Sequence, residues 1–78
     1  MPIAFVCITT EPASMVEVLK ALKAIEGVEE AEMVYGIYDI IAKVKGDSIA
    51  SLKKMITEHI RRIDKVIATT TMMVIKSE

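Results

Sequence analysis

The sequence predicts an α+β domain of order βαββαβ, a four-stranded antiparallel sheet with two helices on one face. Three observations predict it. Strand-like apolar runs and helical apolar spacing alternate along the chain in that order. The chain repeats itself: one shift aligns Ile3 with Ile41, Ala4 with Ala42, Val6 with Val44, Val18 with Ile56, Leu22 with Ile60, Ile25 with Ile63 and Val28 with Val66. Finally, 78 residues leave room for a single core.

Ile3–Thr9 reads as the first strand, with six consecutive apolar residues from Ile3 to Ile8. They point to both faces, the pattern of a strand covered on both sides. Thr10-Glu11-Pro12 breaks it. Pro12 suits a first helical turn and Ser14-x-x-Glu17 reads as a capping box. Met15, Val18, Leu19, Leu22 and Ile25 then recur at three and four residues, an amphipathic helix whose other side carries Glu17, Lys20, Lys23 and Glu26. Gly27 ends it where a positive φ is cheapest.

Val28–Tyr35 reads as the second strand, with Val28, Glu30, Glu32 and Val34 on one face and Glu29, Ala31, Met33 and Tyr35 on the other. Gly36-Ile37 predicts a tight hairpin turn into a third strand, Tyr38–Lys45. There Ile40, Ala42 and Val44 share one face; Ile41, Lys43 and Lys45 share the other. Gly46-Asp47-Ser48 supplies a turn and an N-cap. Ile49, Leu52, Ile56, Ile60 and Ile63 stripe a second helix ending near Asp64-Lys65, and Val66–Lys76 is the last strand, apolar on both faces through Met72, Met73, Val74 and Ile75.

Two βαβ halves with right-handed crossovers interleave into the ferredoxin-like arrangement. The helices cover one face of the sheet. With a mean hydropathy of +0.43 and 53% apolar residues, the open face is expected to dimerise against a second sheet from an identical subunit.

Composition removes several functions. Ten Lys+Arg against eleven Asp+Glu, a net charge of -1 and a pI near 5.8 disfavour nucleic acid as a direct partner. No apolar run approaches a membrane span, and the N-terminus lacks the basic flank and cleavage site of a secretory signal. The single cysteine fits a reducing cytoplasm, where the chain is expected to reside. Cys7 alone cannot build a metal cage and reads as a small buried hydrophobe; His59 has no second ligand and reads as a surface or boundary residue. An RNA-binding sheet would need more exposed aromatics than Phe5 and Tyr38. Gly27, Gly36 and Gly46 stand singly, so no phosphate loop or other cofactor motif is visible. Glu26, Glu29, Glu30 and Glu32 read as a solvated edge rather than a calcium loop. Lys53, Lys54, Arg61, Arg62 and Lys65 form a loose basic side, solvated or in contact with an acidic neighbour. No acid/base pair can be assembled, so the chain is expected to be non-enzymatic.

One constellation remains: Gly36-Ile37-Tyr38-Asp39, facing the start of Val66-Ile67-Ala68-Thr69-Thr70-Thr71. Free turn N–H groups can hold a carboxylate, and Asp39 can take an ammonium; a free amino acid carries both charges on one carbon. Asp39 bonded only to its own turn, with the threonines as ordinary strand residues, is the competing reading.

Val34-Tyr35-Gly36-Ile37-Tyr38-Asp39-Ile40-Ile41-Ala42-Lys43-Val44 resembles the hairpin signature of the effector domain of the Lrp/AsnC family, also called the RAM domain. Leu22-Lys23-Ala24-Ile25-Glu26-Gly27-Val28 looks like its helix-end motif, and Ile63 to Met72 resembles its last helix-to-strand passage, with Thr69 and Thr71 on the recurring T-x-T. The resemblance implies one stand-alone RAM domain over residues 1–78, without a helix-turn-helix because the first strand begins at Ile3. It implies sheet-to-sheet homodimers assembling into an octamer or decamer ring, with amino acids bound between dimers. By position, Gly36, Ile37 and Tyr38 would present backbone and ring atoms, Asp39 would receive the ammonium, and Thr69 and Thr71 would line the pocket. The expected role is a small-molecule sensor that co-assembles with full-length Lrp/AsnC regulators.

The chain departs from the family pattern at two positions. Tyr35 replaces a small residue or threonine and would narrow or fill the pocket; Lys65 stands where glycine is common. The principal alternative is an ACT-like regulatory subunit of a metabolic enzyme, although Thr10-Glu11-Pro12-Ala13-Ser14 lacks the glycine usual in that loop. A ligand-free assembly protein, with Tyr35 filling the pocket, is another alternative. A small ferredoxin-like enzyme comes last, for want of catalytic residues.

Overall fold

The computed structural model describes residues 1–75. The elements run β1 (Ile3–Thr10), α1 (Met15–Lys23), β2 (Val28–Met33), β3 (Ile40–Lys45), α2 (Ile49–Met55) continuing as a π-helical turn over Ile56–Ile60, and β4 (Val66–Met73). All strand pairs are antiparallel and the sheet order is β2-β3-β1-β4. This is the ferredoxin-like topology the sequence predicts.

The core is one layer between sheet and helices. Ala4, Val6 and Ile8 of β1 and Ile40, Ala42 and Val44 of β3 meet Val18 and Leu22 of α1 and Leu52, Ile56 and Ile60 of α2 and its continuation. Each fully buried Val, Leu or Ile side chain contributes about 1.5–3 kcal/mol.

The internal repeat is structural as well. Ile25 N–H donates to Leu22 C=O at 3.0 Å and Val28 N–H to Ile25 C=O at 3.2 Å. Their counterparts, Ile63 to Leu22's equivalent Ile60 and Val66 to Ile63, are both 3.2 Å. Both helix-to-strand turns need a residue at positive φ: Gly27 at 101° and, one repeat on, Lys65 at 79°. Lys65 therefore takes the left-handed conformation that glycine adopts at no steric cost.

The structure corrects several sequence expectations. β2 stops at Met33, and Val34 N–H bonds Asp39 C=O at 2.9 Å, enclosing four residues rather than a two-residue turn. A bulge between Val28 and Glu30 shifts the β2 register, so Val28 and Ala31 both oppose core positions of β3. Ser14 makes no side-chain cap; the capping box forms instead at Ser48 and Ser51. Ile49 lies in the first turn of α2 and is 56% exposed. β4 ends at Met73, and its expected terminus, Lys76, lies outside the described residues.

The π turn has a geometric consequence. In an α-helix, residues four apart overshoot a full turn by about 40°. The bond from Arg61 N–H to Ile56 C=O, 3.0 Å, widens the turn and takes back that drift. Leu52, Ile56 and Ile60 consequently all stay buried.

Candidate functional site at the hairpin end of the sheet

β1 outruns β3 at one end: the last β1–β3 partners are Ile8 and Ile40. Asp39 completes the ladder. Its N–H donates to Ile8 C=O at 2.9 Å, and its Oδ2 accepts the Thr10 N–H at 2.8 Å and the Thr10 hydroxyl at 3.4 Å. The carboxylate stands where the next backbone carbonyl of β3 would be. Both bonds fall on Oδ2; Oδ1 makes none among the described residues and is not buried. The competing reading, Asp39 bonded to its own turn, is not the observed one: the carboxylate bonds Thr10 on β1 instead.

Beyond Asp39 the loop projects into solvent. Tyr35 is 107% exposed and Ile37 87% exposed. Tyr35 fills no pocket of its own chain. A Cβ on Gly36 would meet nothing within 4 Å, and its φ lies outside the left-handed range. Tyr38 turns back: its hydroxyl lies 3.4 Å from Thr70 Oγ1. Since β1 separates β3 from β4, the ring passes across β1 on the open face, where Cys7 lies opposite Thr70 and Ile41.

The structure does not bring Thr69 and Thr71 to this place. They oppose Ile8 and Val6, whose side chains enter the core, so they occupy the helix side of the sheet. Asp39 and Thr69 also lie two strand spacings apart, about 10 Å, too far for the two charged ends of one amino acid. Gly36 to Asp39 form one cluster, and Thr69 with Thr71 another. Thr10 and Thr70 were missed. A buried threonine ending an apolar strand is the signal that could have shown Thr10; nothing in the sequence distinguishes Thr70 from its neighbours.

Two grooves lie elsewhere. One of about 960 Å³ occupies the opposite end of the sheet, between Gly27, Lys45 and His59. The other, about 450 Å³, runs between the π turn and β4 and contains Thr69 and Thr71. Among the described residues no His, Cys, Asp and Glu group is placed to hold a metal. Cys7 is a buried free thiol, and no described helix is long and apolar enough to cross a membrane.

The family model described as the Lrp/AsnC ligand binding domain matches residues 3–78. The chain belongs to the Lrp/AsnC family. Among solved structures it resembles FFRP-DM1, at 40% identity and a TM-score of 0.92, covering 96% of this chain and 100% of that one. E. coli AsnC is 28% identical with a TM-score of 0.90; the match covers 97% of this Lrp/AsnC domain and 52% of the AsnC chain. The fold also matches the transcriptional regulator NMB0573 from Neisseria meningitidis, solved as its L-Met complex, at 13% identity and a TM-score of 0.84, over 96% of this chain and 50% of that one. Among curated proteins no match is found.

Proposed function

We propose that this Lrp/AsnC domain is a non-enzymatic, cytoplasmic sensor that binds an amino acid at the hairpin and modulates regulators of its own family by co-assembly. Asp39 carries the reading. Thr10 holds one carboxylate oxygen in place, and the other is left to accept an ammonium group. The exposed loop amides of Gly36, Ile37 and Tyr38 take the ligand carboxylate. Gly36 supports this: neither crowding nor φ requires glycine there in the single chain, which suits close approach of a ligand to backbone.

The site is completed between subunits. The loop projects outward with two large apolar side chains uncovered, so a neighbouring copy supplies the missing wall. Sheet-to-sheet homodimers joined into an octamer or decamer ring would provide it, and Thr69 and Thr71 would line the ligand pocket only across such a contact. The L-Met complex of the Neisseria regulator, on the same fold, makes an amino acid the first ligand class to test.

The test is thermal unfolding of the protein against the twenty amino acids. A ligand at about 100 times its Kd adds about 2.7 kcal/mol. The expected result is an upward shift with one chemical class, removed by Gly36→Ala without loss of unliganded stability. A flat panel overturns the proposal.

A further inference from the structure

The groove between the π turn and β4 is basic, unpaired and apart from the hairpin. Lys53, Thr57 and Arg61 stand four residues apart along one wall; Thr69 and Thr71 stand two apart along the other, above Ile56. The spacings match, since four helical residues rise about 6 Å and two strand residues advance about 6.6 Å. The π turn keeps Thr57 and Arg61 on one line as it does Ile56 and Ile60, and such turns are frequent at functional sites.

The donors lack partners. The ion pairs among the described residues are Lys45–Glu29 and Lys65–Glu17, so neither Lys53 nor Arg61 has a carboxylate within reach there. The hydroxyls of Thr57, Thr69 and Thr71 enter none of the side-chain hydrogen bonds of the described residues. Among the described residues no Asp or Glu lines the groove. In a chain of net charge -1, two cations and three hydroxyls facing one space free of acids form a local anion trap.

We infer that this groove binds the phosphate group of a small phosphorylated molecule. A phosphate offers up to two negative charges and three strong acceptor oxygens, a match for guanidinium, ammonium and convergent hydroxyls. A carboxylate would leave more of those donors unused. Within one chain the groove lies apart from the Asp39 hairpin; Thr69 and Thr71 belong to both readings, but phosphate binding in the groove needs neither the hairpin nor a neighbouring copy.

The test is an amide NMR titration of the full chain with inorganic phosphate, at constant ionic strength set with chloride, and a parallel titration with succinate. Saturable shifts confined to residues 53–61 and 69–73 are expected. Lys53→Gln with Arg61→Gln should weaken binding at least tenfold. Lys20→Gln with Lys23→Gln, removing equal charge from exposed positions on α1, should not alter it. Absence of saturable shifts, shifts indifferent to the Lys53 and Arg61 changes, or succinate matching phosphate would each overturn the assignment. No amino acid is present in the titration, so failure here leaves the hairpin proposal standing, and the converse holds.

Discussion

Asp39 does two jobs with its two oxygens, and two substitutions separate them. Asp39→Asn keeps a carbonyl to accept the Thr10 N–H but removes the charge. It should leave the unfolding midpoint nearly unchanged and weaken amino-acid binding by the worth of a charge-assisted bond, about 1.5–3 kcal/mol. Asp39→Ala leaves the buried Thr10 at the end of β1 without this partner and should also cost about 1–3 kcal/mol of stability. Calorimetry and urea unfolding on both variants check this; equal amino-acid affinity in Asp39→Asn and wild type would sink the ammonium role. A second pair tests the repeat. Lys65→Gly should stabilise the fold by about 0.5–1 kcal/mol, because a left-handed residue other than glycine carries a cost of about that size or more. Gly27→Ala should destabilise it by more, since its φ of 101° is strained for alanine and the new Cβ would lie 3.2 Å from Lys45 O and 3.1 Å from Met55 Cε. Urea midpoints of the two variants should therefore move in opposite directions, although the positions are equivalent.

At the scale of elements, helix entry depends on which serine makes its bonds. Ser48 accepts from Ser51 N–H at 3.1 Å and Ser51 Oγ accepts from Ser48 N–H at 3.0 Å. Ser14 caps only through its backbone, with Val18 N–H on its carbonyl at 3.1 Å. Ser48→Ala should thus cost about 1 kcal/mol, and Ser14→Ala should lose no cap bond, a difference that urea unfolding resolves. The Ser14-x-x-Glu17 pattern is legible but unused, while Ser48 is legible as an N-cap and only its Ser51 partner is not, because a serine there lies outside the usual Glu/Gln pattern. The order of elements and the helix faces were legible because burial imposes their periodicity; the positive φ of Gly27 was legible from its missing Cβ, although α1 itself already ends at Lys23. The hairpin was not. Tyr35 and Ile37 look like strand residues by type, yet Asp39 bonds to Thr10 and ends the ladder first. The separation of Thr69 and Thr71 from Asp39 needed the register, which depends on β1 lying between β3 and β4.

At the scale of the whole molecule, the sheet has helices on one face only, and the other is unevenly polar. Glu30 opposite Lys43 makes the β2 side charged. Phe5 opposite Met72 and Cys7 opposite Ile41 make an apolar strip along β1, bordered by Lys43 and Lys45 of β3. Met72 is half-exposed in the single chain, so a charge there costs the isolated fold little. In a sheet-to-sheet homodimer the same charge would be buried without a partner, at a cost of several kcal/mol. Met72→Lys should therefore dissociate the assembly in sedimentation velocity at a concentration where wild type remains associated, with unfolding still cooperative. Val16→Lys, an equally exposed apolar position on α1, should leave the assembly intact. A wild type that sediments as an 8.6 kDa monomer would overturn the homodimer, and a Val16→Lys variant that dissociates while Met72→Lys does not would move the interface off the open face. The hairpin site would then have to be completed by some other contact.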